Sequence, residues 1–275
     1  YPEYSDRQGW SRLLGKNAEY LIRAGEKYLD YKWRIVPATA YLAYERTGER
    51  NIMQEPLSAN RSALNALMLA ELAEGKGRFV DQLIDGLWHL SNMPTWVLSA
   101  HLHRQKSQRS LPDPREQLID LGSGGLAAQV AVAWHFFHET FDKVDPVISY
   151  VIQEAMKKQI LDPYLNTAEY RPNWWLGFEL KESQVVNNWN PWCNADVILC
   201  FLLMEKDPQR LEHALRQSAR SVDKFWDYVK SDGACEEGPA YWGHAAGKLY
   251  DYLKIMSEAS NGRFSFFDNK QIKDM

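Results

Sequence analysis

The sequence is dominated by stretches in which apolar residues recur at intervals of three and four. This spacing gathers apolar side chains on one side of an α-helix, whereas a half-buried strand would need alternation every second residue. Strand-like alternation is scarce in the chain. The periodicity predicts helices over residues 17–33, 36–47, 60–73, 78–92, 117–140, 144–161, 194–205, 208–229 and 242–258.

Short connections separate these predicted helices. Breaks such as Gly75–Lys76–Gly77 and Lys206–Asp207–Pro208 are typical of helix ends and starts, and short connections favour antiparallel hairpins. The stretch LAAQVAVAWHFF at 126–137 is apolar over most of its surface, as expected of an inner layer covered by amphipathic helices. We predict an all-α fold, an incomplete α/α toroid of antiparallel helical hairpins in a single domain over residues 1–275, with an open helical solenoid as the alternative.

Charge and hydropathy argue against two classes of binding partner, nucleic acids and membranes. The net charge of −4 gives no general positive field, so no nucleic-acid partner is expected. No membrane partner is expected either, because no apolar run approaches the roughly 20 residues of a spanning helix. Since the sequence does not start with Met, we expect a mature or excised piece of a longer protein.

No metal or cofactor is predicted. Cys193, Cys200 and Cys235 show neither the paired cysteine spacing nor the Cys/His spacing of a metal site. We interpret them as core thiols, with a disulfide or a metal role as the alternative.

The string NNWNPWCNADVILCFL, residues 187–202, places amides and indoles at the start of a predicted buried helix. A helix cap at Asn190 or Asn194 is one explanation, but a cap accounts for one asparagine and not for four. Amides hydrogen-bond hydroxyls or carboxylates, and indoles stack on pyranose rings. The string therefore indicates a sugar site.

A second string, DGACEEGPAYWGHAAGKLYDYL, covers residues 232–253. Its Gly238–Pro239 pair marks a turn followed by a helix start. From Tyr241 onward, His244, Lys248 and Tyr252 follow at helical spacing, so some of them share one face. A structural role is the alternative for His244, whereas Tyr241 follows a loop too polar for ordinary core. We expect the two strings to face each other.

Together the strings resemble the heparinase II/III-like polysaccharide lyases and their alginate-lyase relatives. Those enzymes carry an Asn-Asn-His motif in an N-terminal α/α toroid and a catalytic Tyr about fifty residues further on, with a β-sandwich domain behind. Tyr241 lies 53 residues beyond Asn188, in agreement with that pattern. PTWVLSAHLH at 94–103 is a weaker third match. The resemblance implies a periplasmic or secreted protein whose full-length chain adds a β-sandwich domain after this one.

The resemblance also implies cleavage of a uronic-acid polysaccharide, glycosaminoglycan- or alginate-like, by β-elimination. In this hypothesis the amide of Asn188 neutralises the substrate carboxylate. Tyr241 transfers protons once the ordinary tyrosine pKa of about 10 is lowered locally. Trp189 stands where the family has His and cannot serve as a base. The base would then be Tyr241 itself, His244, His101 or a His of the missing β-domain.

Further residues are predicted to bind the substrate, and each has a structural alternative. The basic segment 101–109 is either solvated surface or a contact for an anionic polysaccharide. Glu237 either binds sugar or forms a salt bridge, and the Trp174–Trp175 pair is either a sugar platform or the packed base of a cleft. The predicted substrate-binding residues are Trp189, Trp192, Glu237, His101, His103, Arg104 and Trp175.

Two other functions fit the same residues. One is a carbohydrate-binding relative that has lost catalysis, which Trp189 in the His position makes credible. The other is a glycoside hydrolase on the same toroid, which would need two carboxylates about 5 to 10 Å apart across a cleft. Glu237 has no evident partner for that role in the sequence.

Overall fold

The structure is a computed structural model that describes residues 1–166, 173–180, 185–229, 233–234 and 238–275. These described residues form helices and no strand, which confirms the all-α prediction. The α-helices are α1 (Arg7–Leu14), α2 (Ala18–Glu26), α3 (Ala38–Thr47), α4 (Asn51–Glu74), α5 (Val80–Ser91), α6 (Leu121–Val144), α7 (Pro146–Met156), α8 (Asp162–Leu165), α9 (Trp189–Met204), α10 (Pro208–Tyr228), α11 (Trp242–Ala259) and α12 (Lys270–Asp274). The toroidal arrangement stays a prediction.

The chain divides into two compact units. The first comprises Tyr1–Gln117 with Gln129–Lys158, and the second comprises Leu118–Ala128 with Gln159–Met275. Both strings singled out in the sequence belong to the second unit. The single domain over 1–275 and the β-sandwich domain after it stay predictions.

In the first unit α4 is the central helix, packed mainly against α2 and also against α5. Its predicted start at residue 60 is wrong, because the helix begins at Asn51 and continues through Pro56. Proline lacks an N–H donor and weakens a helix interior. Met53 and Leu57 are 0% and 1% exposed, so burial of these side chains stabilises the added turns.

In the second unit α9 packs against both α10 and α11. Burial around most of α9 follows from its apolar residues, among them Val197, Ile198 and Phe201, each 0% exposed. α10 starts where Asp207–Pro208 predicts, since the Asp207 carboxylate accepts a hydrogen bond from the N–H of Gln209 at 2.8 Å. Within the described residues no helix is both long and apolar enough to cross a membrane.

Candidate functional site

Most of the first string lies in α9, which starts at Trp189, five residues earlier than predicted. Asn187 explains this start, because its side-chain oxygen accepts a hydrogen bond from the N–H of Trp189 at 3.1 Å. Pro191 falls in the first turn, where its missing N–H costs no helical hydrogen bond. Trp189, Trp192, Asn190 and Asn194 therefore lie on the helix, whereas Asn187 and Asn188 precede its first residue.

Two of the asparagines belong to a buried network between α9 and α10. Asn190 Nδ2 donates to Ser221 Oγ at 3.0 Å and to the carbonyl of Trp175 at 2.9 Å. Asn194 Nδ2 donates to the same Ser221 Oγ at 2.9 Å, and Asn194 Oδ1 accepts from the Tyr164 hydroxyl at 2.8 Å. Both amides are 0% exposed. The capping alternative is wrong for both, since Asn188 is the N-cap residue, and neither amide is exposed to solvent.

Asn188 lies at the N-terminus of α9 with only 4% of its surface exposed. Its carbonyl accepts a hydrogen bond from the N–H of Trp192 at 3.2 Å, so the residue forms part of the first helical turn. An amide this enclosed offers almost no surface to a substrate. The predicted contact between Asn188 and a carboxylate requires that this side chain become accessible.

The two strings lie against each other, as expected. Trp192 of α9 stacks on His244 of α11, with ring centroids 5.0 Å apart and planes at 14°. α9 and α11 form one of the most extensive helix contacts of the second unit. Residues separated by about fifty positions in sequence thus share one surface.

Tyr241 lies at the edge of this contact. Gly238 takes a φ of +72° and a ψ of −175°, a conformation open to glycine, and the short helix Pro239–Tyr241 follows it directly. The Gly238–Pro239 prediction of a turn and helix start is confirmed. Tyr241 is 50% exposed, and its ring centroid lies 5.8 Å from that of His244. A phenol and an imidazole are therefore adjacent and open to solvent.

Lys248 follows His244 by one helical turn and reaches the same tryptophan. Its Nζ lies 5.2 Å from the Trp192 ring centroid, within the range of a cation–π contact. The same Nζ lies 3.7 Å from Asp196 Oδ1 and 3.3 Å from Asp251 Oδ2. We call Trp192, Tyr241, His244 and Lys248 the Trp192 cluster.

Acidic groups lie close to the buried side of the Trp192 cluster. Burial raises the pKa of the Cys193 thiol well above its usual value, and the negative charges of Asp196 and Asp120 raise it further, whereas Lys248 acts in the opposite direction. Asp196 is 9% exposed. The positive charge of Lys248 therefore offsets the negative charge of Asp196, a carboxylate that is buried in the fold.

The cysteine prediction is confirmed where the structure describes it. Cys193 and Cys200 are free thiols, each 0% exposed, and Cys235 lies outside the described residues. In that described part of the chain, no three His, Cys, Asp or Glu side chains are grouped as a metal ion would require.

The predicted tryptophans take different positions. Trp189 is partly exposed and packs against Trp174, with ring centroids 5.5 Å apart. Trp175 is 0% exposed, and its indole N–H donates to the carbonyl of Ile119 at 2.9 Å. Trp175 is therefore packed in the interior, as its structural alternative expects, and stacking of its ring on a sugar would require that the ring become exposed.

The remaining predicted residues lie elsewhere. His101, His103 and Arg104 fall in the short helix Ser99–Arg104 of the first unit. His103 and Arg104 are exposed, and His103 Nδ1 lies 2.9 Å from the carbonyl oxygen of Ala100. Glu237 lies outside the described residues.

Sequence reasoning assigned no site role to Asp196 or Lys248. The signal was present in the spacing, since Asp196 follows Trp192 by four residues and Lys248 follows His244 by four. Such pairs lie one above the other on a helix. With Trp192 and His244 in contact, Asp196 and Lys248, one turn further along their helices, also face each other, with 3.7 Å between Oδ1 and Nζ.

Comparisons with known proteins add no family assignment. No model of a protein family matches the chain, and no curated protein matches it significantly. The resemblance to heparinase II/III-like lyases therefore depends on the two strings and on their spacing.

Proposed function

We propose that this chain is the helical part of a polysaccharide lyase that cleaves a uronic-acid-containing polysaccharide by β-elimination. The contact between the two strings carries the proposal, because it brings the exposed phenol of Tyr241 beside the imidazole of His244 on the ring of Trp192. A lyase of this kind needs one group that accepts a proton and one that donates a proton within reach of a single sugar.

The reaction divides between these two groups. A base removes the proton on C5 of the uronate, the electron pair forms the C4–C5 double bond, and the bond from C4 to the glycosidic oxygen breaks while that oxygen takes a proton. His244 is our candidate base, since histidine is the side chain that most often serves as a general base in catalysis. Tyr241 is our candidate acid, because its exposed hydroxyl can meet the departing oxygen. Trp192 orients the imidazole by stacking on it.

The partner in this proposal is an anionic polysaccharide. Exposed Arg104 provides a local positive charge, and the exposed imidazole of His103 a neighbouring polar group, in a chain with a net charge of −4. A periplasmic or secreted location and a following β-sandwich domain belong to the same proposal, since the resemblance implies both.

The decisive experiment compares two tyrosines of similar exposure. The full-length protein is incubated with heparan sulfate, hyaluronan, chondroitin and alginate, and unsaturated uronate is followed by ultraviolet absorbance. We expect Tyr241→Phe to lose turnover, whereas Tyr250→Phe keeps it. Tyr250 is 52% exposed and contacts Phe267 only through its ring at 5.3 Å, so phenylalanine preserves that contact. Absence of product from all four polymers, or equal turnover in the two variants, would refute the proposal.

A carbohydrate-binding protein without catalysis is the second candidate. It is favoured by the 4% exposure of Asn188 and by Trp189 in the position of the family His. Binding of one of the four polymers by the wild type and by Tyr241→Phe alike, with no product from either, would select it. For the glycoside hydrolase, Glu237, the acid considered for it, lies outside the described residues.

A further inference from the structure

Elimination from a uronate requires neutralisation of the carboxylate next to the carbon that loses its proton. Asn188, with 4% of its surface exposed, is poorly placed to supply it. The Trp192 cluster contains a cation that is better placed. Lys248 has a side chain that is 25% exposed and a Nζ that lies 5.2 Å from the centroid of the Trp192 ring.

Two matched pairs across α9 and α11 determine where this cation lies. Trp192 faces His244, with ring centroids 5.0 Å apart. One helical turn further along both helices, Asp196 faces Lys248, with 3.7 Å between Oδ1 and Nζ. A sugar that meets His244 therefore has the ammonium of Lys248 one turn, about 5.4 Å, further along the helix.

The ammonium of Lys248 has capacity for another anion. Its distances of 3.7 Å to Asp196 and 3.3 Å to Asp251 are longer than the roughly 2.7–2.9 Å of a direct charged hydrogen bond. Lysine has three N–H donors. The Asp251 side chain is 51% exposed, and an exposed ion pair of this kind is weak, so a ligand carboxylate can displace it. The Asp196 side chain, 12% exposed, stays to hold the lysine.

We propose that Lys248 binds the uronate carboxylate, with Asp196 holding its ammonium beside Trp192. The identity of the ligand as a uronate depends on the proposed function. Recognition of a carboxylate by Lys248 is nevertheless a binding property that can be measured without turnover. The inference gives the cluster three separate tasks, in which Tyr241 and His244 move protons and Lys248 carries the charge.

The test measures binding by calorimetry to oligosaccharides of heparan sulfate, hyaluronan, chondroitin and alginate. Each is compared with its counterpart in which the carboxyl groups are reduced to hydroxymethyl groups. For the wild type we expect a preference of about ten- to hundredfold for the carboxylated form, the effect of one hydrogen bond to a charged group. Lys248→Met should lose the preference, and Lys248→Arg should keep most of it.

Lys254→Met is the matched control. Lys254 lies on the same helix, its side chain is 53% exposed, and its Nζ lies 3.8 Å from Glu258. This variant should keep the full preference. Circular dichroism of each variant checks that the helices are intact. Lys248→Gln, which also removes the charge and should also lose the preference, keeps the test decisive if Lys248→Met does not fold.

The outcomes separate this inference from the proposed function. A carboxylate preference that Lys248→Met abolishes, without product in any lyase assay, supports the inference and refutes the lyase. Product formation with the same preference in wild type and Lys248→Met supports the lyase and overturns the inference. Absence of binding to all four oligosaccharides overturns both.

Discussion

Asn194→Ala tests whether the buried amides of α9 stabilise the fold and take no part in binding. The substitution removes the acceptor of the Tyr164 hydroxyl, at 2.8 Å, and a donor to Ser221 Oγ, at 2.9 Å. All three side chains lie in the interior of the second unit. Water cannot readily replace the lost partners there, so the cost should appear in the free energy of unfolding.

The expected loss follows from the bonds removed. A net intramolecular hydrogen bond contributes about 0.5–1.5 kcal/mol, and a buried polar group left without a partner costs about 1–3 kcal/mol. Asn194 Nδ2 also donates to the carbonyl of Asn190 at 2.8 Å. For the bonds to Tyr164 and Ser221 alone, the loss is roughly 2–4 kcal/mol. Asn187→Ala is the comparison, because Asn187 only caps the helix start and is partly exposed. Loss of a cap costs about 1 kcal/mol.

Urea unfolding of the whole chain, with amide hydrogen exchange over residues 189–228, measures both losses in the second unit. Asn194→Ala should cost at least twice as much as Asn187→Ala. The double variant Asn194→Ala/Ser221→Ala should cost less than the two single changes added together, by about 0.5 kcal/mol or more, because the residues share a bond. Equal costs for Asn194 and Asn187, or strict additivity with Ser221, would show that the network does not stabilise this unit.

Three further predictions use other described residues. Gly238→Ala should destabilise the chain by about 1–3 kcal/mol in urea unfolding, because open space surrounds the position and only its φ of +72° resists a side chain. Gly243, which is also surrounded by open space, lies in a helix, so Gly243→Ala should stabilise the chain slightly. Cys193 and Cys200, whose thiol pKa values are raised by burial, should escape iodoacetamide until urea unfolds the chain, and peptide mass spectrometry would contradict this by finding early labelling. Burial raises the pKa of Tyr252 from 10.0 to about 12, so the unfolded chain releases the Tyr252 proton at lower pH than the folded chain does. The free energy of unfolding should therefore fall as the pH rises from about 10 to about 12. Tyr252→Phe should show a shallower fall, and an unchanged slope would contradict the assignment.

Local signals in the sequence predicted most helices, but they misplaced helix starts that depend on tertiary burial. The start of α10 at Pro208 was predicted because Asp207 and Pro208 act within one turn. The start of α4 was placed after Pro56, since nothing local shows that Met53 and Leu57 are enclosed. The division of the chain into two compact units has no marker in composition and was not predicted.

At the candidate site, too, contacts between the strings were predictable from the sequence but tertiary burial was not. Spacing and residue type were enough to predict that the two strings meet, and the stacking of Trp192 on His244 confirms it. The burial of Asn190 and Asn194 could not be predicted, because it depends on Ser221, which lies about thirty residues away in sequence. A buried structural amide and a ligand-binding amide look identical until such a partner is known.

The pairing of α9 with α11 has a consequence for identifying the ligand. A molecule that touches both helices binds only while they are docked, so it must raise the free energy of unfolding of the second unit. By mass action, a ligand at 100 times its dissociation constant adds about 2.7 kcal/mol. A thermal-shift screen of acidic and neutral glycans would thus rank candidates before any catalytic assay is available, with the protein's own melting as the readout.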